Sequence, residues 1–272
     1  YWIEEDSDEF LWIGTMGGGL VRYSKKGDSL MFYMNNTQNP YSLADNFVQL
    51  IFENSRKELW ISTSSSLELF NKEKNEFIHF QSNFNDTKSF TGRGAQVIFE
   101  DSKHTMWFGT DAGLNYFNRN DSTFICYQES DGLPNNSIKG ILEDRHGNIW
   151  LSTNRGISKM INGTDLPIKP EFRNYDVNDG LQGNEFNRRA AFSDNNGWMY
   201  FGGTNGFNVF HPDSLKENNY VPPIVFTNFL VANKPVNHSL KGSPIEKDIS
   251  IADKIVLKYS QTVFTIEFAA LN

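Results

Sequence analysis

The chain has 272 residues, a formal charge of −8 and 14% aromatic residues. It contains no run of 18 apolar residues, so no segment reads as a membrane-spanning helix. The acidic balance argues against a nucleic-acid partner, which needs a basic footprint. Its single cysteine, Cys126, excludes an internal disulfide and leaves the redox compartment open.

The first residues, YWIEEDSDEF, lack the basic start and apolar stretch of a secretory leader. They already lie inside a repeat, so the chain reads as a piece of something longer. EDSDEFLWIGT ends at Thr15, ENSRKELWIST at Thr63, EDSKHTMWFGT at Thr110, EDRHGNIWLST at Thr153 and SDNNGWMYFGG at Gly203. The anchors Trp12, Trp60, Trp107, Trp150 and Tyr200 are spaced 48, 47, 43 and 50 residues apart. Such a period means stacked or radially arranged supersecondary units. A small residue follows two positions after each anchor (Gly14, Ser62, Gly109, Ser152, Gly202), suggesting another backbone close by. Hairpin turns then precede Leu20, Leu67, Leu114, Ile157 and Phe207.

Each unit is predicted to hold four strands. In one they are 48–52, 59–63, 67–70 and 77–80; in the next, 96–100, 106–110, 114–117 and 123–127. The anchors are expected near the start of the second strand, buried between neighbouring units. The first strands, such as QLIF and QVIF, are apolar on successive residues, as in strands covered on both faces. Four-stranded sheets packed around an axis satisfy this, so the expected fold is an all-β propeller. The polar turns NSRKE, DSKHT and DRHGN read as Asx-turns, because their acidic spacing does not suit a calcium loop.

The repeat stops after Phe210. Residues 211–223 form a polar connector ending in Pro222-Pro223. Beyond it, 224–231, 255–258 and 263–268 read as opening strands of a second β domain, too short to bury a sandwich core alone. The division is therefore 1–215 as propeller blades, 216–223 as linker, and 224–272 as the truncated start of a β-sandwich.

The block LPNNSIKGILEDRHGNIWLST and its four relatives resemble the two-component-regulator propeller repeat. The tail PPIVFTNFLVANKPV…IVLKYSQTVFTIEFAALN is similar to the start of the triple-tyrosine domain that follows such propellers. The pairing resembles the periplasmic sensor of hybrid two-component histidine kinases that detect glycan fragments. The resemblance implies part of a seven-bladed ring, with an exposed blade face at the N-terminal end and association of the isolated chain. It also implies an oligosaccharide ligand, homodimers through the sandwich, and a periplasmic position in an inner-membrane protein. The membrane would be reached only through a downstream helix, and signalling would act on transcription of carbohydrate-utilisation genes. Tyr200 and Gly203 depart from the repeat's usual Trp and Thr.

Strand order gathers the fourth-to-first and second-to-third loops on one face. There Arg93, Asp111, Lys139, Arg155, Asn187, Arg188 and Arg189 are candidate ligand-binding residues, the guanidinium groups suiting carboxylates or sulfates. Phe47, Phe90 and Phe186 are expected to supply apolar faces for a sugar ring. The bland alternative is that these arginines pair with neighbouring-blade carboxylates or contact a further propeller upstream. No catalytic residues, metal or cofactor are expected; histidines 79, 104, 146, 211 and 238 lack ligand spacing, and no nucleophile elbow occurs. A sialidase-like glycosidase needs a Tyr nucleophile with an acidic partner, and none is evident at the mouth. A protein-interaction scaffold is the third reading.

Overall fold

The computed structural model describes residues 2–83, 85–164, 171–215, 223–240 and 242–270, in two compact units, 1–215 and 216–272. The first unit holds five sheets in chain order. They are β1 (Trp2–Glu5), β2 (Phe10–Gly14), β3 (Leu20–Ser24) and β4 (Ser29–Tyr33); then β5 (Val48–Glu53), β6 (Leu59–Thr63), β7 (Leu67–Asn71) and β8 (Glu76–Phe80). The third comprises β9 (Val97–Glu100), β10 (Met106–Gly109), β11 (Leu114–Asn118) and β12 (Thr123–Tyr127); the fourth, β13 (Ile138–Glu143), β14 (Ile149–Thr153), β15 (Gly156–Ile161) and β16 (Glu171–Tyr175). The fifth has three strands, β17 (Phe186–Ser193), β18 (Met199–Gly203) and β19 (Gly206–Phe210). Every sheet runs in simple antiparallel order, each strand beside the next, which makes it a propeller blade.

The anchors lie in the second strand of each blade. Trp12, Trp60, Trp107 and Trp150 are completely buried, each in an apolar cluster shared with the following blade. Trp12 meets Phe70 at 5.2 Å, Trp60 meets Phe108 at 4.9 Å, and Trp150 meets Phe210 at 5.1 Å between ring centroids. Tyr200 is the exception. It is only half-buried, because among the described residues no blade follows the fifth.

The same lack of a neighbour exposes apolar positions at both ends of the row. Ile3 of the first blade is 63% exposed, whereas its counterpart Ile51 in the second is at 0%. Phe207 of the fifth blade is 66% exposed, while Leu67, in the same register, is at 0%. The five blades form an open arc whose exposed faces lie at both ends, where the sequence had pointed only to the first.

The small residue after each anchor has a physical reason. A Cβ on Gly109 would lie 2.6 Å from Ile138, and Ser62 Oγ donates to Ala95 O at 2.9 Å, so both face the next blade's incoming chain. Gly156 combines φ +93° with a site where a Cβ would come within 2.1 Å of Tyr175 O, and no other residue fits there.

The polar turns are Asx-turns in all five blades. Asp101 Oδ1, for example, accepts from Lys103 N at 2.9 Å and Thr105 N at 2.8 Å. The other carboxylate oxygen does something the sequence did not reveal. Asp6, Asp101 and Asp144 accept the indole N–H of Trp12, Trp107 and Trp150, each at 2.8 Å. In the second blade Asn54 holds this position, its amide turned to Glu58 at 2.6 Å, and the buried Trp60 Nε1 has no partner.

Flanking residues rivet blade to blade. Glu53 accepts from Ser7 N at 2.6 Å, Glu100 from Ser55 N at 2.7 Å, and Glu143 from Ser102 N at 2.7 Å. At the last junction Arg145 replaces the serine and Ser193 the glutamate. There Arg145 and His146 instead hold Asp213, just past the fifth blade. Asp6, Asp8 and Glu53 cluster closely enough to suggest a cation, but Lys72 Nζ occupies their centre, 2.7 Å from Glu53 and 3.0 Å from Asp8.

The second unit holds β20 (Ile224–Val231), β21 (Lys234–Pro235) and β22 (Phe264–Ala270), with β20 central. Ala232 and Asn233, at φ 48° and 59°, make the tight turn joining β20 to β21. The strand expected at 255–258 is absent. Ile255 and Leu257 pack on Phe229, Ile245 and Ile249, but this segment pairs with no strand among the described residues. The expected linker falls largely at 216–222, including Pro222, outside the described residues.

Candidate functional site

The loops entering the second, third and fifth blades are clamped by one position of the third strand. Asn115 Oδ1 accepts from Thr91 N and its Nδ2 donates to Thr91 O, both at 2.9 Å. Asn208 clasps Gln182 N and Gly180 O in the same manner. The second blade divides this task. Glu68 accepts from Ala44 N at 3.2 Å, and His79 Nε2 donates to Ser42 O at 2.8 Å. Burial outweighs the hydrogen bonds from Ala44, Ser66 and Thr63 and raises the Glu68 carboxyl from the ordinary 4.5 to about 7.

Two loops are further stitched by a serine. Ser42 Oγ donates to Asn36 O and Asn39 O, and Ser89 Oγ to Asn83 O and Asp86 O. Beyond each serine an apolar residue, Leu43 or Phe90, plugs the core. Phe90 is therefore packing, not a sugar platform. Phe186 is likewise 3% exposed, occupying the place of Val48 and Ile138 opposite the end of the second strand. Its expected stacking role is ruled out. Phe47 remains largely exposed.

These anchored loops border a polar cleft of about 940 Å³ on the mouth face. Its walls carry Ser65, Gln81, Asn83, Thr91 and Gln128 together with the candidates Arg93 and Asp111. Both charged side chains are exposed, and neither makes an ion pair among the described residues. The pairing arm of the bland alternative therefore finds no support at Arg93 among the described residues. Cys126 also lines the cleft; burial pushes its thiol up to about 11, which leaves it neutral and unreactive.

A second group lies along the inner strands. Lys139 is buried, with Nζ donating to Gln96 Oε1 at 3.3 Å. Burial lowers its pKa, the nearby Arg188 adds to this, and Asp111 and Glu185 oppose it. Asp111 thus links the cleft to this inner group electrostatically. Arg189, at φ 61° within the β17 bulge, crosses the arc. Its Nη1 donates to Gln49 O at 3.1 Å, and its guanidinium lies 5.1 Å from the Trp2 ring centre. These contacts hold its side chain across the inner strands, away from the residues that line the cleft. Asn187 Nδ2 donates to Gly203 O at 3.3 Å, Arg188 is exposed, and Arg155 projects from a fourth-blade loop outside the cleft.

The structure therefore brings Arg93 and Asp111 into one cleft, with Lys139 and Arg188 adjoining, and separates Arg155, Arg189 and Phe186 from it. The hydroxyl and amide walls were missed in the sequence. Their one signal was the likeness of loop 36–45, NTQNPYSLAD, to loop 83–92, NFNDTKSFTG.

Residues 132–155 match the two component regulator propeller family. The whole chain is 33% identical over 275 residues to histidine kinase P4 of Formosa agariphila, and spans 20% of that protein's length. It resembles the extracellular domain of the hybrid two component system BT3049 from B. thetaiotaomicron at 25% identity and a TM-score of 0.62, over 98% of this chain and 40% of that one. The extracellular domain of the hybrid system BT4673 from the same organism shares the fold at 19% identity and a TM-score of 0.50, over 98% and 47% of the two chains. The resemblance read from the repeats is borne out: the chain is similar to a histidine kinase and to the extracellular propellers of hybrid two component systems. Among the described residues no helix is long and apolar enough to cross a membrane.

Proposed function

We propose that this chain is the ligand-sensing, periplasmic part of an inner-membrane hybrid histidine kinase. In this reading it recognises a glycan-derived oligosaccharide, and the whole protein controls transcription of carbohydrate-utilisation genes. The carrying observation is the mouth cleft, whose walls include hydroxyl and amide side chains and the carboxylate of Asp86 around Arg93 and Asp111, neither of which forms an ion pair among the described residues. Such walls match the alternating donors and acceptors of a sugar, and a free guanidinium adds bidentate recognition of a uronate or sulfate. The clamped loops supply preorganisation, which lowers the cost of ordering on binding. Ligand contact shifts the receptor only by its differential affinity for two states, so the oligosaccharide also touches a neighbouring part of the receptor dimer.

A sialidase-like activity fits less well. Among the described residues no tyrosine lines the cleft, whereas such a mechanism needs a Tyr nucleophile beside an acidic partner. Calorimetry with uronate-bearing and sulfated oligosaccharides on the intact ectodomain tests the proposal. Saturable binding without cleavage, weakened roughly tenfold or more in Arg93→Ala, is expected, since a charge-assisted contact is worth about 1.5–3 kcal/mol. Released sugars would mean a glycosidase. Unchanged affinity in both Arg93→Ala and Asp111→Ala would remove the cleft from consideration, and no binding of any glycan would leave an interaction scaffold.

A further inference from the structure

The second blade holds its entering loop with ionisable groups where the later blades use amides. Asn115 and Asn208 clasp the third and fifth loops, and in the fourth Asn174 Nδ2 donates to Gly132 O at 2.9 Å. These residues occupy one cross-strand pair of positions, Asn115 opposite Cys126 and Ser158 opposite Asn174. The same pair in the second blade is Glu68 opposite His79. An amide holds a loop equally at any pH, and a carboxyl does not.

Glu68 is completely buried, and its two oxygens share Ala44 N at 3.3 and 3.2 Å. Ser66 Oγ donates to Oε1 at 3.1 Å. From the loop itself Asp45 brings a like charge, and from β8 His79 Nε2 lies 3.7 Å from Oε2 while held by Ser42 O at 2.8 Å. The chain entering the third blade packs on the hairpin 63–66 through Gly94, and Arg93 beside it lines the cleft instead. Among the described residues, then, an ionised Glu68 faces Asp45 and has no lysine or arginine to balance it. Burial is the main reason that the carboxyl titrates at about 7 rather than 4.5. The closed loop favours the protonated form, and an opened loop returns the carboxylate to water.

We propose that Glu68 is a proton-operated latch on the mouth loop 36–47. Protonated, it keeps Ala44 and the loop seated on the blade; ionised, it leaves the buried site and lets the loop go. The loop is joined to the wall of the cleft. Asp45 Oδ2 accepts the Ser64 hydroxyl, and Ser64 N donates to Phe47 O at 3.0 Å, next to Ser65 in that wall. Opening therefore moves Phe47 and frees Ser64 at the edge of the cleft. The latch works in the same way whatever ligand the cleft takes.

Hydrogen exchange of the chain from pH 5 to 8, corrected for intrinsic rates, reads the latch at single amides. Protection of Ala44 N should fall about tenfold per pH unit up to pH 7 and level off above it. Thr91 N, held by Asn115 at 2.9 Å, should not follow. In Glu68→Gln, whose amide oxygen still accepts from Ala44 N, the dependence should vanish. Equal pH dependence at Ala44 and Thr91 would overturn the proposal, as would none at Ala44. A dependence that survives in Glu68→Gln would also overturn it and assign the proton to His79 or Asp45. Should the variant not fold, the comparison of Ala44 with Thr91 in the wild type decides the matter.

Discussion

The indole–carboxylate contact is the most direct place to perturb the blade. In Asp101→Asn, Oδ1 keeps its two backbone N–H partners, but the second oxygen becomes an amide nitrogen facing Trp107 Nε1. A hydrogen bond to a charged acceptor, worth about 1.5–3 kcal/mol, is exchanged for two donors that cannot satisfy each other. Asp101 and Trp107 are both buried, so water does not compensate. The substitution should cost about 2–4 kcal/mol in urea or guanidinium unfolding. For a unit of this size that is a drop of roughly 4–16 °C in midpoint. The second blade supplies the converse experiment. Asn54→Asp alone sets a new carboxylate against Glu58, whose Oε2 now accepts the Asn54 amide at 2.6 Å, so it should bring little gain. Paired with Glu58→Thr, which copies Thr105 of the third blade, it should satisfy Trp60 Nε1 and recover about 1–2 kcal/mol, less what Arg119 loses with Glu58. A loss below about 0.5 kcal/mol in Asp101→Asn would refute the reasoning, because the orphaned indole of Trp60 would then be the norm.

Trp107→Ala should cost about 3–5 kcal/mol in the same titration, as expected for a fully buried aromatic. Because the folded Glu68 carboxyl titrates near 7 rather than 4.5, its contribution is complete below about pH 4.5 and is lost as pH rises through 7. Stability of Glu68→Gln should accordingly fall less than wild type over that window, by up to about 3 kcal/mol, measured as paired denaturation curves. The isolated chain should associate with rising concentration in sizing chromatography, since Ile3, Phe32, Phe192 and Phe207 expose the two end faces. A concentration-independent monomer would count against open ends.

The propeller was legible because its signals recur at a fixed period. Trp60, Trp107 and Trp150 sit where the repeat placed them, and strand ends moved by a residue or so, as with Gln96, which precedes β9 rather than starting it. The site was legible only in part, since which loop residue points inward depends on packing that adjacent positions do not encode. Phe90 and Phe186 look as accessible in sequence as Phe47, yet the first plugs a blade and the second lies opposite a strand end. Arg189 carries the same charge as Arg93, but a left-handed backbone turns it onto Trp2. The rivets were invisible for another reason. Glu100 and Ser55 are 45 residues apart, and nothing local in either announces the partner.

Those rivets have a mechanical consequence. Three junctions are pinned by a glutamate holding the serine of the blade before it, and shear across them must break charge-assisted bonds. At the fourth junction the pin is gone, and the arginine and histidine that stand there fasten the departing chain at Asp213 instead. A sliding of the last blade therefore meets no serine–glutamate pin at this seam and pulls directly on the Asp213 contacts, which makes the seam a coupling between blade and exit.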